Sequence, residues 1–251
     1  LGVKDYFYKT GHKEAVIGLS GGIDSALVAA IATEALGRDK VHGVSLPSKY
    51  SSDHSLKDAE DLTSTLGISY EVIPIQACVD EMEQTLKSCF SGHSPNVAEE
   101  NIQARIRGDI LMALSNKFGW MVLSTGNKTE LALGYCTLYG DMSGGLSVIS
   151  DLSKTDVYTL AHWINSKYPG RIPIGSIKKP PSAELAPNQV DPFDYDIVSP
   201  LVDLIIEEGK TVIQLAELGI DKELVNLVYQ KIRLSEYKRR QAAPGLRVST
   251  K

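Results

Sequence analysis

The chain predicts an α/β fold: a doubly wound, Rossmann-like parallel sheet with a C-terminal helical appendage. Three observations carry this. Short apolar runs alternate with amphipathic helical stripes through the first half. The links between them are short, which requires parallel strands covered on both faces. Right-handed crossovers then wind helices onto both sides of the sheet.

Ala15 to Leu19 is an apolar run ending at a Gly-Gly turn and reads as a buried strand. Leu27, Val28, Ile31, Ala32, Ala35 and Leu36 recur at helical spacing, and Gly37 stops them. Val41 to Leu46 is a second strand, closed by Pro47. Leu56, Ala59, Leu62 and Leu66 mark a second helix, stopped by Gly67. Tyr70 to Ile75 is a third strand, and its internal Pro74 places it at an edge. Ser88 to Pro95 is a loop, Glu99 to about Lys117 a long helix, and Trp120 to Ser124 a fourth strand. Val157, Leu160, Ala161 and Ile164 form a further stripe. Ile172 to Pro200 is a long Pro-rich connection of the kind that serves as a lid, and Leu201 to about Arg240 is helical. The expectation is one domain over 1–251, with 201–251 its helical and basic C-terminal part.

Composition narrows the function classes. The 251 residues suit one large domain, and no apolar run is long enough for a membrane helix. The net charge of −5 disfavours a general nucleic-acid binder. Basic residues gather between Lys231 and Lys251, readable either as a solvated tail or as a phosphate-contacting arm. Cys78, Cys89 and Cys136 have no C-x-x-C spacing and read as free thiols in a reducing cytoplasm. The chain starts at Leu1 without an initiator methionine, as a processed or excised chain would.

In such a sheet ligands bind at the carboxyl ends of the strands. Gly18, Leu19, Ser20, Gly21, Gly22, Ile23, Asp24 and Ser25 lie between the first strand and its helix. Glycines let the backbone approach a ligand, and the helix start offers N–H groups to an anion. Neither the G-x-x-x-x-G-K-[ST] loop nor G-x-G-x-x-G is present. Asp24 would repel phosphate unless it holds Mg²⁺. The alternative is a plain turn with Asp24 and Ser25 as helix caps. Glu130 follows the fourth strand, so Asp24 and Glu130 are candidate Mg²⁺ ligands on neighbouring strand ends. The alternative for Glu130 is a helix cap.

The segment resembles the S-G-G-x-D-S signature of the pyrophosphate-releasing ATP enzymes, whose fold is the adenine nucleotide alpha hydrolase-like one. Further motifs resemble the NAD synthetase family in particular, over about Asp5 to Val248. Thr125 and Glu130, with Tyr135 and then Tyr139-Gly140-Asp141, match its pattern after the fourth strand. Lys154 matches its phosphate-binding lysine, and Ser182 in Lys178 to Leu185 its ATP-contacting hydroxyl. Asn101 and Arg105 match its N-x-x-A-R-x-R helix, and Tyr237 with Lys238 its C-terminal basic motif. The resemblance implies ATP at Gly18–Ser25, Thr125, Lys154 and Ser182. It implies deamido-NAD at Asn101, Arg105, Glu130, Tyr135, Tyr237 and Lys238. Arg107 remains open between a site residue and a surface ion-pair partner.

Leu138 stands where the ammonia-using stand-alone members tend to carry lysine, and the stretch after Asp141 lacks their further aspartate. The chain is more similar to the synthetase part of the glutamine-dependent enzymes. The implied reaction is adenylation of deamido-NAD and attack by ammonia, supplied directly or by a separate glutaminase domain. Lys154 would stabilise the leaving pyrophosphate and Asp141 take a proton from ammonia. The resemblance also implies a homodimer or higher homo-oligomer. Two rivals remain: a tRNA-thiolating relative, which would want paired cysteines and a basic face, and a nucleotide sensor that binds ATP without turnover.

Overall fold

The computed structural model describes every residue except Asn188, Thr250 and Lys251. Asn188 of the expected lid and Lys251 of the basic run therefore lie outside the described residues. The chain opens with helix α1 (Gly2–Thr10), strand β1 (Ala15–Gly18) and α2 (Ile23–Leu36). It continues through β2 (Val41–Ser45), α3 (Asp53–Leu66), β3 (Ser69–Val72), α4 (Gln76–Leu86), α5 (Val97–Phe118) and β4 (Met121–Ser124). Then come α6 (Lys128–Leu133), β5 (Leu146–Ser147), α7 (Lys154–Lys167) and α8 (Ile174–Lys178). The last four are α9 (Tyr195–Ile206), α10 (Val212–Glu217), α11 (Lys222–Leu234) and α12 (Glu236–Arg239).

The strands form one parallel sheet in the order β3-β2-β1-β4-β5. Central β1 shows why the sheet needs two covers: Ala15, Val16 and Ile17 are all fully buried. Ala15 and Ile17 face a core built with α2, α3 and α7, including Leu27, Leu62 and Val157. Val16 faces the other way, onto Val44, Val122 and the Ile75, Val79, Ile102 and Ile106 side chains of the α4–α5 layer. The doubly wound Rossmann-like sheet is thus the observed one.

Several expectations shift in detail. The third strand sits at the edge, but it ends at Val72 and not at Ile75. Pro74 cannot donate to a ladder, and Ile75 is instead fully buried at the start of α4. Helix α4 and the two-residue β5 carry too little pattern to be foreseen. The expected connection to Pro200 ends early: α9 begins at Tyr195 and contains Pro200. Asp194 caps it, and burial of Tyr195, Val198, Leu201 and Val202 outweighs the missing proline N–H.

Helices α9 and α11, with Leu215 of α10, bury a third apolar cluster against Ala132 and Leu133 of α6. This appendage is also pinned ionically. The Lys128 ammonium of α6, 9% exposed, reaches Asp203 at 3.1 Å and also Glu207, both on the C-terminal side of α9. At the far edge the tail returns to the sheet. Ser147 of β5 bridges Gly245 in parallel, with Ser147 N donating to Pro244 O and Leu246 N to Ser147 O. Asp151 then accepts from the backbone N–H groups of Val248 and Ser249.

Replacing Lys128 by Met should strand two acids at the α6–α9 contact. The expected loss is about 2–3 kcal/mol in urea unfolding, below the roughly 3–5 of a fully buried pair because both acids are part-exposed.

Candidate active site

The phosphate-loop candidate turns through Gly21 and Gly22 between β1 and α2. Gly21 has φ 75°, and a Cβ there would meet the Ser55 carbonyl oxygen at 2.4 Å. Both conformation and space demand glycine. The N-cap, Gly22, makes no side-chain capping bond, so the positive end of α2 remains open to an anion. The two serines brace the turn. Ser25 Oγ donates to Gly22 O at 3.1 Å and accepts from Ser20 N at 3.3 Å, while Gly22 N donates to Ser20 Oγ at 3.2 Å.

Asp24 reaches across to the end of β4 and does not cap its own helix. Its Oδ1 accepts from Asn127 Nδ2 at 2.9 Å, and its Oδ2 from Lys154 Nζ at 2.5 Å. The same Nζ lies 3.3 Å from Glu130 Oε1. Of the two roles considered for Glu130, the helix cap is the one seen. Its Oε2 accepts from Asn127 N at 3.3 Å, completing the capping box of α6. Lys154 is the first residue of α7, capped by Ser153, and its side chain is 3% exposed.

Burial, then the charge of Asp24, raises the Glu130 carboxyl well above the ordinary carboxylate range. Burial works against the Lys154 charge, but Asp24 and Glu130 outweigh it and hold the ammonium above its usual value. The Asp141 carboxyl is pushed up to about 6 by burial, partly offset by the hydrogen bond from Thr137 N at 2.7 Å. Burial pushes the Cys136 thiol up to about 12, which leaves it inert as a nucleophile.

Two carboxylates on adjacent strand ends suit Mg²⁺, which takes hard oxygen ligands and fills its shell with water and phosphate oxygens. Among the described residues there is no cluster of three or more His, Cys, Asp or Glu side chains. Asp24 and Glu130 therefore fit a shared metal–nucleotide site better than a closed protein cage.

All of this faces one cavity of about 290 Å³. It collects Gly18, Leu19, Ser20, Gly22, Ile23, Asp24 and Ser25 from the loop, then Thr125, Glu130, Tyr135, Asp141, Lys154 and Ser182. Gly21 lies behind the lining, against Ser55. Four residues stand elsewhere. Asn101 accepts from Thr137 Oγ1 at 2.7 Å, and Arg105 Nε donates to Leu138 O at 3.2 Å, so both support the 137–141 turn. Lys238 Nζ donates to the Gly134 and Cys136 carbonyls, and Tyr237 is 59% exposed. Much of the basic run is tied to the fold: Arg239 caps the Leu131 and Ala132 carbonyls, and Arg240 pairs with Glu236.

The lid supplies residues the sequence did not single out. Asp191 accepts from Tyr135 at 3.0 Å and from Tyr195 at 2.8 Å. Glu184 pairs with Lys179 at 2.7 Å. Arg107, left open above, proves half-buried: its Nε donates to Leu46 O at 2.9 Å, it lines the cavity, and desolvation lowers its guanidinium to about 10. The available signal was its place in the N-x-x-A-R-x-R pattern of Asn101 to Arg107.

A sequence model described as NAD synthase matches residues 1–242. The chain belongs to the NAD synthase family. It is 51% identical over 255 residues to the glutamine-dependent NAD(+) synthetase of Thermotoga maritima, covering 100% of this chain and 44% of that one. A solved glutamine-dependent NAD+ synthetase from Acinetobacter baumannii, in complex with ADP, superposes with TM-score 0.70 at 41% identity, over 99% of this chain and 45% of that one. A solved NH3-dependent NAD synthetase from Campylobacter jejuni gives TM-score 0.77 at 27% identity, over 95% and 91%. The chain thus spans less than half the length of the glutamine-dependent relatives, while it matches nearly all of the ammonia-dependent one. The fold is the adenine nucleotide alpha hydrolase-like one of these proteins.

Replacing Lys154 by Met should leave Asp24 and Glu130 without a cation. The expected loss is about 3 kcal/mol in denaturant unfolding. Millimolar Mg²⁺ should restore part of it; no recovery would count against the carboxylate pair as a metal site.

Proposed function

We propose that this chain is the synthetase portion of a glutamine-dependent NAD synthetase and amidates deamido-NAD at the expense of ATP. The single observation that carries the reading is the Asp24–Lys154–Glu130 cluster beside the uncapped start of α2. It presents cations and N–H donors where a pyrophosphate would lie and carboxylates where Mg²⁺ would bridge to it. On this reading 1–251 acts as one domain, and residues 201–251 support α6 and the strand ends.

The nicotinate carboxylate oxygen attacks the α-phosphorus of ATP, and the bond to pyrophosphate breaks. Lys154 and the loop N–H groups take up the charge that develops on the leaving group. Mg²⁺ held by Asp24 and Glu130 would supply further charge neutralisation on the phosphates. Ammonia then attacks the carbonyl carbon of the nicotinyl adenylate, the bond to AMP breaks, and the surplus proton passes to a base. Asp141 is that base: it lines the cavity, and burial brings its carboxyl nearer to neutrality. The lid around Lys179 to Asp191 keeps water from the adenylate. Asn101, Arg105, Tyr237 and Lys238 lie outside the cavity lining, and a homodimer would give them a role at a subunit edge. Ammonia would come from solution or from a glutaminase domain. A cytoplasmic location suits three free cysteines, and among the described residues no helix is long and apolar enough to cross a membrane.

The chain with ATP, Mg²⁺, deamido-NAD and an ammonium salt should yield AMP, pyrophosphate and NAD in equal amounts. ATP binding without AMP release would favour the sensor reading. Asp24→Ala should lower pyrophosphate release at least about a hundredfold.

Asp141 also sets a pH prediction. A base that must be ionised loses activity as pH falls through its pKa, so the amide-forming step should decline below about 6. At constant free NH₃, the acid limb should disappear in Asp141→Asn and the rate above it should drop roughly a hundredfold.

A further inference from the structure

The lid carries an anchor that the proposed chemistry does not use. Glu184 stands at φ 49°, a left-handed backbone that L side chains rarely adopt. Its carboxylate is the meeting point of several donors from two different parts of the chain. Ser52 N donates to Oε2 at 3.3 Å; Ser52 Oγ and Ser55 Oγ each donate to Oε1 at 2.9 Å. Lys179 Nζ reaches Oε1 at 2.7 Å and also bonds to Ser55 Oγ. Ser52 is the N-cap of α3, so the carboxylate lies at the positive end of a 14-residue helix. Burial opposes its ionisation, but the bonds from Lys179, Ser52 and Ser55 prevail and hold it below its ordinary value.

The far side of the same contact is the phosphate loop. The Ser55 carbonyl is the atom that a side chain at Gly21 would strike. One helix turn therefore touches the lid through its hydroxyls and the loop through its backbone. Within the lid, Ser182 Oγ accepts from Glu184 N at 3.2 Å, and Gln103 Nε2 of α5 donates to Leu185 O at 2.9 Å. The segment from Lys179 to Leu185 is thus fastened to α3 at Glu184 and to α5 one residue later.

We propose that Glu184 is a positioning residue, whose carboxylate docks the Lys179–Leu185 segment onto the start of α3 and so fixes the lid, with Ser182, in register with the Ser20–Ser25 loop. The inference rests on the reading that this cavity takes ATP. Glu184 acts through Ser55, in the first turn of α3, on Gly21 of the loop, and needs no contact with the reacting atoms.

The test uses Glu184→Gln, which keeps the size and loses the charge, and Ser52→Ala, which removes a donor from the opposite side. Hydrogen exchange over residues 179–187 and binding of a non-hydrolysable ATP analogue are read beside the thermal midpoint. In each variant, lid exchange should speed up and the analogue Kd rise by about tenfold, the loss of one charge-assisted hydrogen bond. The double variant should be no worse than the worse single one, since both break one contact. With wild-type binding intact, unchanged lid exchange and unchanged Kd in Glu184→Gln would overturn the inference. So would additive effects in the double variant, or a slowed exchange. A wild-type chain that fails to bind the analogue would overturn the ATP reading instead, with lid exchange in Glu184→Gln still reporting on the anchor.

Discussion

The ion cluster of Lys154 with Asp24 and Glu130 is the constraint around which the rest is arranged. Each member belongs to a different segment: Asp24 to the first turn after β1, Glu130 to the first turn after β4, Lys154 to the first turn after β5. A buried ammonium and two largely buried carboxylates are tolerable only together, because each alone would pay its full desolvation cost. The parallel sheet delivers them together. β1 and β4 are neighbours in register, Ala15 beside Met121 and Val16 beside Val122, so the turns that follow them open at one level. Asn127 completes the arrangement, since its amide donates to Asp24 while its backbone N–H donates to Glu130.

Such a cluster is both a structural tie and a reservoir of charge. Without ligand, Asp24 is the close counter-charge of the lysine, with the Glu130 carboxyl beside them. A polyanion entering the cavity would compete for the ammonium, and the carboxylates would then need another cation. This is the electrostatic logic of a metal–nucleotide site, in which protein cation and metal ion divide the burden between them. Asp24 itself, placed in the first turn of α2, is engaged by Lys154 and Asn127.

Much of this was legible in the sequence. The strand-turn-helix setting of Gly18 to Ser25 is the one observed, and the alternation of elements gave a parallel sheet with its strand ends on one side. The pairing of Asp24 with Glu130 followed from neighbouring strand ends. Other features were not legible because they depend on distant contacts. Lys154 was picked out by its place in the pattern, but its ion pairing with Asp24 and Glu130 shows only once α7 is packed against α2. Glu184 and Asp191 lie in a segment with no periodicity, and their partners Ser52, Ser55 and Tyr195 are far away or in another element. Lys238 sits in a basic run readable as a solvated tail or a phosphate-contacting arm, yet its ammonium is occupied by two carbonyls of the turn after α6. A local pattern shows charge; only the fold shows what the charge is spent on.

The returning tail at β5 has a wider consequence. A two-residue strand at the margin of a parallel sheet leaves backbone donors and acceptors open to any passing extended chain. Here Pro244 and Leu246 take up both the N–H and the C=O of Ser147, and Asp151 holds the next turn of the tail in place. The sheet margin at β5 is thereby closed to foreign strands at Ser147, and self-association by pairing onto that edge is discouraged.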